Sequence, residues 1–334
     1  MANIKDVAKV AGVSIATVSR VINQGDKVNA QTRDRVTRAM QQLGYRPNAN
    51  ARALVTQKSA TLGVVIPELT DPFFAALASG VDNVAKENNL QLLLSTGMGS
   101  EESELSALNV LLDRNCDAIV MHSKHISSKK LQDLMALHSG LILIDRLVPE
   151  TIERCVWLDN IEGGRIAARH FLALGHNRFA CISSEYEIED PRLRLHGFKE
   201  CLAEQGVNNA AIPVSFGAPN QQGGEIAAQQ LLTEGHRFSA LFVYNDAMAS
   251  GAISTLEDNG YRVPEDISVI GFDDVILASY TRPKLTTMHY PIHTMAKQAA
   301  QMALQRVSSD ATDASTTKGK YLPRLVKRAS CARR

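Results

Sequence analysis

Residues 3–22, NIKDVAKVAGVSIATVSRVI, contain two short apolar patterns of helical period separated by a glycine. Asn3 precedes the first pattern and Ser14 precedes the second, and both residue types are common caps of helix N-termini. Gly12 permits a tight turn because glycine adopts the left-handed backbone conformation without steric cost. This stretch therefore predicts two helices joined by a short turn.

A third helix completes the N-terminal module. Asn29 is placed to cap it and Gly44 to end it, with apolar residues at helical spacing between them. The spacing of Ala8, Gly12 and Val18 is that of a helix-turn-helix, in which a small residue lies where the helices touch and an apolar residue anchors the second helix. The sequence predicts a three-helix domain built around this motif.

The charge of the chain is unevenly distributed. Residues 1–58 carry ten basic and three acidic side chains, a net charge of +7, whereas the whole chain carries +1. A basic module on an acidic body indicates that one end meets a polyanion. Short polar and apolar side chains with one arginine suit the base edges and phosphates of duplex DNA better than a solvated bundle face. The candidate DNA-contacting residues on the second helix are Ile15, Ala16, Thr17, Ser19 and Arg20.

From residue 62 onward the pattern changes to short apolar runs between amphipathic stretches. Examples of the runs are LGVVIP (62–67), FACISS (179–184) and ISVIGFDD (267–274). Continuous apolarity indicates strands that are buried on both faces. Their alternation with helices predicts an α/β fold with parallel sheets, and the length permits two of them.

Several classes of protein and site are disfavoured. The five cysteines are widely spread and lack metal-binding spacing, the first residues lack the apolar run of a signal peptide, and no segment approaches the roughly 20 apolar residues of a membrane span. No glycine-rich nucleotide fingerprint and no nucleophile elbow is present. His122 with His125, and His289 with His293, lack a third metal ligand on a matching element. We expect a cytoplasmic protein that is not an enzyme and needs no metal and no cofactor.

The motifs resemble, in order, those of the lactose/galactose repressor family of bacterial transcription regulators. MANIKDVAKVAGVSIATVSRVIN and YRPNANARAL match the DNA-binding end of that family, and VIPELTDPFFAAL, YNDAMASGA and ISVIGFDD match its effector domain. The resemblance covers essentially the whole chain and is greatest to the galactose-responsive members. It implies a hinge helix after the helix-turn-helix and a two-lobed body similar to periplasmic sugar-binding proteins.

The resemblance and the apolar runs together divide the chain. The expected parts are a helix-turn-helix domain at 1–46, a hinge helix and linker at 47–60, and an effector-binding and dimerisation domain at 61–334 whose first lobe spans about 61–160 and 291–320 and whose second lobe spans about 161–290 and 321–334. In the linker, the resemblance implies minor-groove contacts, with a leucine inserted between base pairs as an apolar wedge. The alternative is that this leucine caps the core of the next domain. The linker candidates are Asn48, Ala51, Arg52 and Leu54.

Polar residues just beyond the apolar runs are candidates for ligand binding, because open parallel sheets bind ligands beyond the carboxyl ends of their strands. Carboxylates, an amide and a guanidinium suit sugar hydroxyls, which both donate and accept hydrogen bonds. Aromatic candidates could lie against a sugar ring or belong to the core. The predicted ligand-binding residues, with Arg194 taken from the resemblance, are Asp71, Phe73, Phe74, Asp145, Asp159, Arg194, Phe216, Asn245 and Asp273. Asp274 should face away from Asp273, since neighbouring strand residues point to opposite faces.

These features predict a sugar-responsive repressor that binds double-stranded operator DNA as a homodimer and is released when D-galactose binds between the lobes. The absence of a C-terminal leucine repeat favours a dimer over a tail-linked tetramer. Three alternatives stay open: a sugar carrier with the same body, a carbohydrate enzyme on this scaffold, and a family member that answers to another sugar or to a purine co-repressor.

Overall fold

The computed structural model describes residues 2–22, 28–45, 59–308 and 319–334. The chain forms two compact units, residues 1–60 and 61–334. Among the described residues, no helix is long and apolar enough to cross a membrane.

Residues 2–22 and 28–45 of the first unit form three helices, which are α1 (Ile4–Ala11), α2 (Ile15–Ile22) and α3 (Ala30–Gln42). The side chain of Asn3 accepts hydrogen bonds from the backbone N–H groups of Lys5 and Asp6, and the Asp6 carboxylate accepts one from the N–H of Asn3 at 2.9 Å. This reciprocal capping box satisfies N–H groups that have no partner within the helix. The predicted cap at Asn3 is confirmed.

The remaining turn and cap predictions for this unit are also confirmed. Gly12 ends α1 with a φ of 65°, in the left-handed region that favours glycine. The Ser14 hydroxyl accepts a hydrogen bond from the N–H of Thr17 at 3.1 Å, and the Asn29 side chain accepts one from Thr32 at 2.8 Å. The buried residues that the structure describes beneath these caps are valines and alanines, namely Val7, Ala8, Ala11, Val18, Val21, Val36 and Ala39.

The second unit has two lobes, and the first is a six-stranded sheet with helices on its faces. Its strands lie in the order β11-β5-β4-β3-β1-β2 and all pair in parallel. Its elements are β1 (Thr61–Ile66), α4 (Pro72–Glu87), β2 (Gln91–Thr96), α5 (Glu101–Asp113), β3 (Ala118–His122), α6 (Ser128–Leu137), β4 (Leu141–Ile144), a 3₁₀ segment (Pro149–Arg154), β5 (Cys155–Leu158), α12 (Ile292–Val307) and β11 (Lys320–Tyr321).

The second lobe repeats this architecture with one difference. Its strands lie in the order β12-β10-β9-β8-β6-β7. The sequence predicts a parallel sheet, and the one exception among the described strands is the edge strand β12, which is antiparallel to β10. Its elements are α7 (Asn160–Ala173), β6 (Phe179–Ser184), α8 (Glu189–Ala203), a 3₁₀ segment (Asn209–Ala211), β7 (Val214–Gly217), α9 (Gln221–Thr233), β8 (Ala240–Val243), α10 (Asp246–Asp258), β9 (Ser268–Asp273), α11 (Leu277–Tyr280), β10 (Thr286–His289) and β12 (Arg324–Val326).

The chain passes between the lobes at three places, after β5, after β10 and between β11 and β12. The central strands are buried along almost their whole length, as the continuous apolar runs predict. In each lobe the carboxyl ends of the parallel strands meet at one edge of the sheet. The loops after these strands therefore carry the side chains that line the space between the lobes.

Candidate functional site

The second helix of the first unit presents one face to its core and the other to solvent. Val18 and Val21 are buried, whereas Ile15 is 44% exposed and Ala16 and Arg20 are also exposed. This face therefore combines short apolar side chains with one cation. The face is suited to reading base edges in a major groove.

Two of the predicted DNA-contacting residues are less exposed than expected. Thr17 and Ser19 are half-buried, because they flank the buried Val18 and each lies about 100° away from it around the helix. The Thr17 hydroxyl also shares a hydrogen bond with that of Ser14 at 2.9 Å. The exposed face of α2 that is available for DNA contact is therefore narrower than predicted. The predicted linker residues Asn48, Ala51, Arg52 and Leu54 lie outside the described residues.

A cavity of about 130 Å³ lies between the two lobes of the second unit. By the same measure one water molecule needs about 10–15 Å³, so the cavity has room for roughly ten water-sized groups. This is close to the number of non-hydrogen atoms in one monosaccharide. We call it the effector cavity. Seven of the nine predicted ligand-binding residues line it, and these are Asp71, Phe73, Phe74, Asp145, Arg194, Asn245 and Asp273.

Arg194 is the central cation of the second lobe's wall. Its guanidinium donates hydrogen bonds to the Asn160 side chain at 2.8 Å and to the Tyr244 carbonyl at 2.7 Å, and it lies 3.5 Å from Asp273 Oδ1. The same group stacks over the Phe272 ring at 3.7 Å. Because the guanidinium is buried and fixed on several sides, it is preorganised to hold a ligand oxygen.

Asp273 ends strand β9 with a positive φ of 103°, which turns its carboxyl into the cavity. Burial raises the pKa of Asp273 to about 7, although the Arg194 guanidinium opposes this change. Asp274 points elsewhere, as predicted: its carboxylate contacts His289 at 2.8 Å and Arg328 at 2.6 Å. The two adjacent carboxylates therefore do not form a joint site.

Asn245 and Asp71 each combine a helix cap with a place in the cavity wall. The Asn245 side chain accepts from the N–H of Met248 at 2.9 Å and donates to the Pro219 carbonyl at 3.0 Å. An amide has two donors and two acceptor sites, so one of each is left for a ligand. The Asp71 carboxylate caps α4 through the N–H of Phe73 at 2.8 Å, and burial raises the pKa of Asp71.

The Asp145 carboxylate is held by two side chains of its own lobe and by Tyr290. His122 Nε2 lies 3.1 Å from its carboxylate, the Lys124 ammonium lies 2.9 Å away, and the Tyr290 hydroxyl donates to it in a short hydrogen bond. Burial raises the pKa of Asp145, but the lysine and histidine lower that pKa further, and the net pKa lies below the usual range. The carboxylate is therefore ionised at neutral pH.

The aromatic predictions divide into different environments. Phe73 is 7% exposed and packs edge-on against Phe74 and Tyr290 at ring distances of 5.3 and 5.0 Å. It belongs to the core as well as to the cavity wall. Phe74 is half-buried and meets His122 edge-on at 5.1 Å. These rings form the apolar side of the effector cavity.

Asp159 and Phe216 do not line the effector cavity. Asp159 caps α7 through the N–H of Glu162 at 3.0 Å and pairs with Lys320 at 2.8 Å. Phe216 lies on β7, the edge strand of its sheet, with its side chain on the exposed face. Both residues line a second, wider opening between the lobes, which we call the outer cavity.

Sequence reasoning missed several polar residues of the effector cavity, namely Glu104, Lys124, Asp190 and Tyr244. Lys124 is the second residue after β3, and a rule that selects charged residues just beyond a strand would also have selected it. Asp190 lies in the first turn of helix α8 and meets Lys124 only through long-range folding. No local pattern marks that contact.

Each histidine of the two pairs contacts a neighbouring polar side chain. His122 contacts Asp145, His125 contacts Glu104 at 2.9 Å, and His293 contacts Asn83 at 3.1 Å. Within the described part of the chain, no group of three or more metal-ligating side chains is close enough to hold an ion.

Two protein-family models match this chain. Residues 3–48 match "Bacterial regulatory proteins, lacI family", and residues 168–331 match a periplasmic binding protein-like domain. The first match contains α1 to α3, and the second contains most of the second lobe. Both matches agree with the resemblance that the sequence motifs carry.

Full-length relatives extend these matches to the whole chain. The transcriptional regulator GalS of Salmonella typhimurium is 45% identical over 99% of this chain and 97% of its own length. The regulator GalR of Escherichia coli is 44% identical over 99% of this chain and 96% of its own length. The structure of the lac repressor dimer bound to operator and the anti-inducer ONPF matches with a TM-score of 0.88, 28% identity and 99% coverage of both chains.

A helix-turn-helix with an exposed second helix, a two-lobed body with a polar cavity, and collinear similarity to transcriptional regulators agree with one another. This chain belongs to the lacI family of bacterial regulatory proteins, and it is a DNA-binding transcriptional regulator with a periplasmic-binding-protein-like body rather than an enzyme.

Proposed function

We propose that this regulator represses a galactose-utilisation operon and leaves its operator when D-galactose occupies the effector cavity. The observation that carries this proposal is the set of fixed polar groups around a space of monosaccharide size. Asp273 and Arg194 lie side by side, and Asn245 keeps one donor and one acceptor for a ligand. Sugar hydroxyls both donate and accept, so they match a wall that offers carboxylates, an amide and a guanidinium.

In this proposal, α2 and the linker contact the DNA. Ile15 and Ala16 offer apolar contact to a thymine methyl group, and the exposed Arg20 offers two donors to guanine. Thr17 and Ser19 are placed beside them for phosphates or bases. From the family resemblance we further propose that Asn48, Ala51, Arg52 and Leu54 contact the minor groove, with Leu54 as the wedge.

The link between sugar and DNA follows from the architecture of the body. Three chain crossings join the lobes, so a ligand held by both lobes favours one arrangement of them. In a homodimer, the two linkers must lie close together to bind DNA. The arrangement of the lobes then determines whether the linkers are close enough. Sugar and operator should then weaken each other's binding by the same factor, typically through about 1 to 3 kcal/mol.

Calorimetric titration of the full-length protein tests the choice of effector. D-galactose should bind with a stoichiometry of one per chain and tighter than D-glucose, and adenine should not bind. Binding of adenine but no sugar, with tighter operator binding in its presence, would instead identify a purine co-repressor. Turnover of the sugar would identify an enzyme and contradict the proposal.

A further inference from the structure

The effector cavity and the outer cavity share part of their walls. The outer cavity is the larger, at about 1110 Å³. The residues that line both spaces are Lys124, Asp145, Tyr186, Ile188 and Asp190. The two spaces are therefore neighbours, and these side chains form the partition between them.

Lys124 forms the charged centre of this partition. Its ammonium lies 2.9 Å from the Asp145 carboxylate in the first lobe and 2.6 Å from the Asp190 carboxylate in the second, and it also donates to the Asp145 carbonyl. The Lys124 and Asp190 side chains are each 8% exposed. Burial lowers the pKa of Lys124, but the two carboxylates raise it further, so the lysine keeps its charge. The contact is a buried ion pair that spans the lobes.

Glu104 fixes the loop that carries Lys124. Its buried carboxylate accepts hydrogen bonds from the Ser123 hydroxyl at 2.5 Å and from the backbone N–H groups of Lys124 at 2.8 Å, His125 at 3.0 Å and Ile126 at 3.2 Å. Burial raises the pKa of Glu104, but these donors lower it more, and the net pKa lies below its ordinary value. The lysine is thus held in place by its backbone as well as by its ammonium group.

The outer cavity has a lining that suits a second sugar ring. Phe216 is 53% exposed, and Trp157 is half-buried with the Lys320 ammonium 5.1 Å from its ring centre. Asp159 and Arg146 add hydrogen-bonding groups. Exposed aromatic rings with a few polar groups are typical of ligand sites.

We propose that the Lys124–Asp190 contact determines specificity by limiting the effector to a single sugar ring. When the Lys124–Asp190 ion pair is intact, the effector cavity ends at the partition. If the Lys124 and Asp190 side chains are shortened, a disaccharide can place a galactose ring in the effector cavity and its second ring in the outer cavity. This inference rests on the proposed function, because it requires a sugar effector.

The test compares two double variants of the full-length protein. The double variant Lys124→Ala with Asp190→Ala removes the bulk of the partition, and Asp145 keeps His122 and Tyr290 as partners. The double variant Lys124→Met with Asp190→Asn removes both charges but keeps the bulk. Calorimetry with D-galactose, lactose and melibiose gives the ratio of the Kd for each disaccharide to that for galactose. We expect this ratio to fall at least tenfold for one or both disaccharides in the alanine variant and to stay within about threefold of wild type in the Met/Asn variant.

Each other outcome has a distinct meaning. An unchanged ratio in an alanine variant that still binds galactose overturns the partition, and an equal fall in both variants assigns the effect to charge and also overturns it. Absence of galactose binding by the wild-type protein contradicts the proposed function instead. Thermal unfolding checks that the variants fold. If the double alanine variant does not, Asp190→Ala alone keeps the Lys124–Asp145 pair, and its ratio should still fall measurably; an unchanged ratio there overturns the proposal.

Discussion

The helix-turn-helix unit and the two-lobed body place their functional residues in opposite ways. On α2, Ile15, Ala16 and Arg20 are near neighbours in sequence and lie on an exposed face above a core of valines and alanines. In the effector cavity, Arg194 and Asp273 come from distant segments, their side chains are only 5% and 12% exposed, and they lie 3.5 Å apart. Binding and stability are therefore separable on the helix, whereas in the cavity the same side chain serves both.

The largest contrast should come from Arg194→Leu. It leaves the buried Asp273 without its cation, and loss of one partner of a buried pair costs about 3 to 5 kcal/mol of unfolding free energy. Since Asp273 can take up a proton, the loss should be smaller below pH 7 than above it. Arg192→Leu on the exposed face of the same helix is the matched control and should change stability little. Chemical denaturation measures both, and equal stability of the two variants would break the comparison.

Arg20→Ala tests the opposite case on the exposed helix. It should weaken binding to a duplex selected by the protein from a random pool by about 1 to 3 kcal/mol and leave the unfolding free energy unchanged. Arg35→Ala on α3 removes the same charge from an exposed position and is the control. Specificity should relax at one symmetric base pair per half-site only for Arg20→Ala. An equal loss on every sequence would make Arg20 a phosphate contact.

The effector cavity should bind its ligand in a pH-dependent manner. Burial raises the pKa of Asp273 to about 7. A sugar hydroxyl that donates to this carboxylate favours its ionised form, so galactose affinity should be highest above pH 7. Below that pH, affinity should fall by up to about tenfold per unit. Asp273→Asn cannot titrate, and the difference between its pH profile and that of wild type isolates this group. Parallel profiles would refute the assignment.

The smallest effect concerns a structural residue of the helix-turn-helix unit. Asn3→Ala removes the capping box of α1 and should cost about 1 kcal/mol locally. In the full-length protein, amide hydrogen exchange in α1 should accelerate about fivefold. Asn3→Ser keeps an oxygen acceptor at the cap and should restore most of the protection. Equal exchange in wild type and Asn3→Ala would mean that packing alone holds this helix.

The same contrast explains how far the sequence could predict the molecule. Caps such as Asn3 and turns such as Gly12 depend on residues within three or four positions, so local patterns were sufficient. Asp273 and Asn245 were predictable because each follows an apolar run at a strand's carboxyl end. The Lys124–Asp190 contact joins two lobes, and the exposed position of Phe216 depends on β7 being an edge strand. Neither relation is encoded in neighbouring residues.

The central claim is that a ligand bound by buried residues between the lobes controls DNA binding by exposed residues on α2. Its most direct test is the affinity for a fluorescent duplex, selected by the protein itself, measured by anisotropy with and without saturating D-galactose in wild type and Asp273→Ala. We expect galactose to weaken wild-type binding about 5- to 150-fold. The variant should bind the duplex as tightly as unliganded wild type and should not respond to galactose. A wild-type affinity that is the same with and without bound galactose would contradict the account.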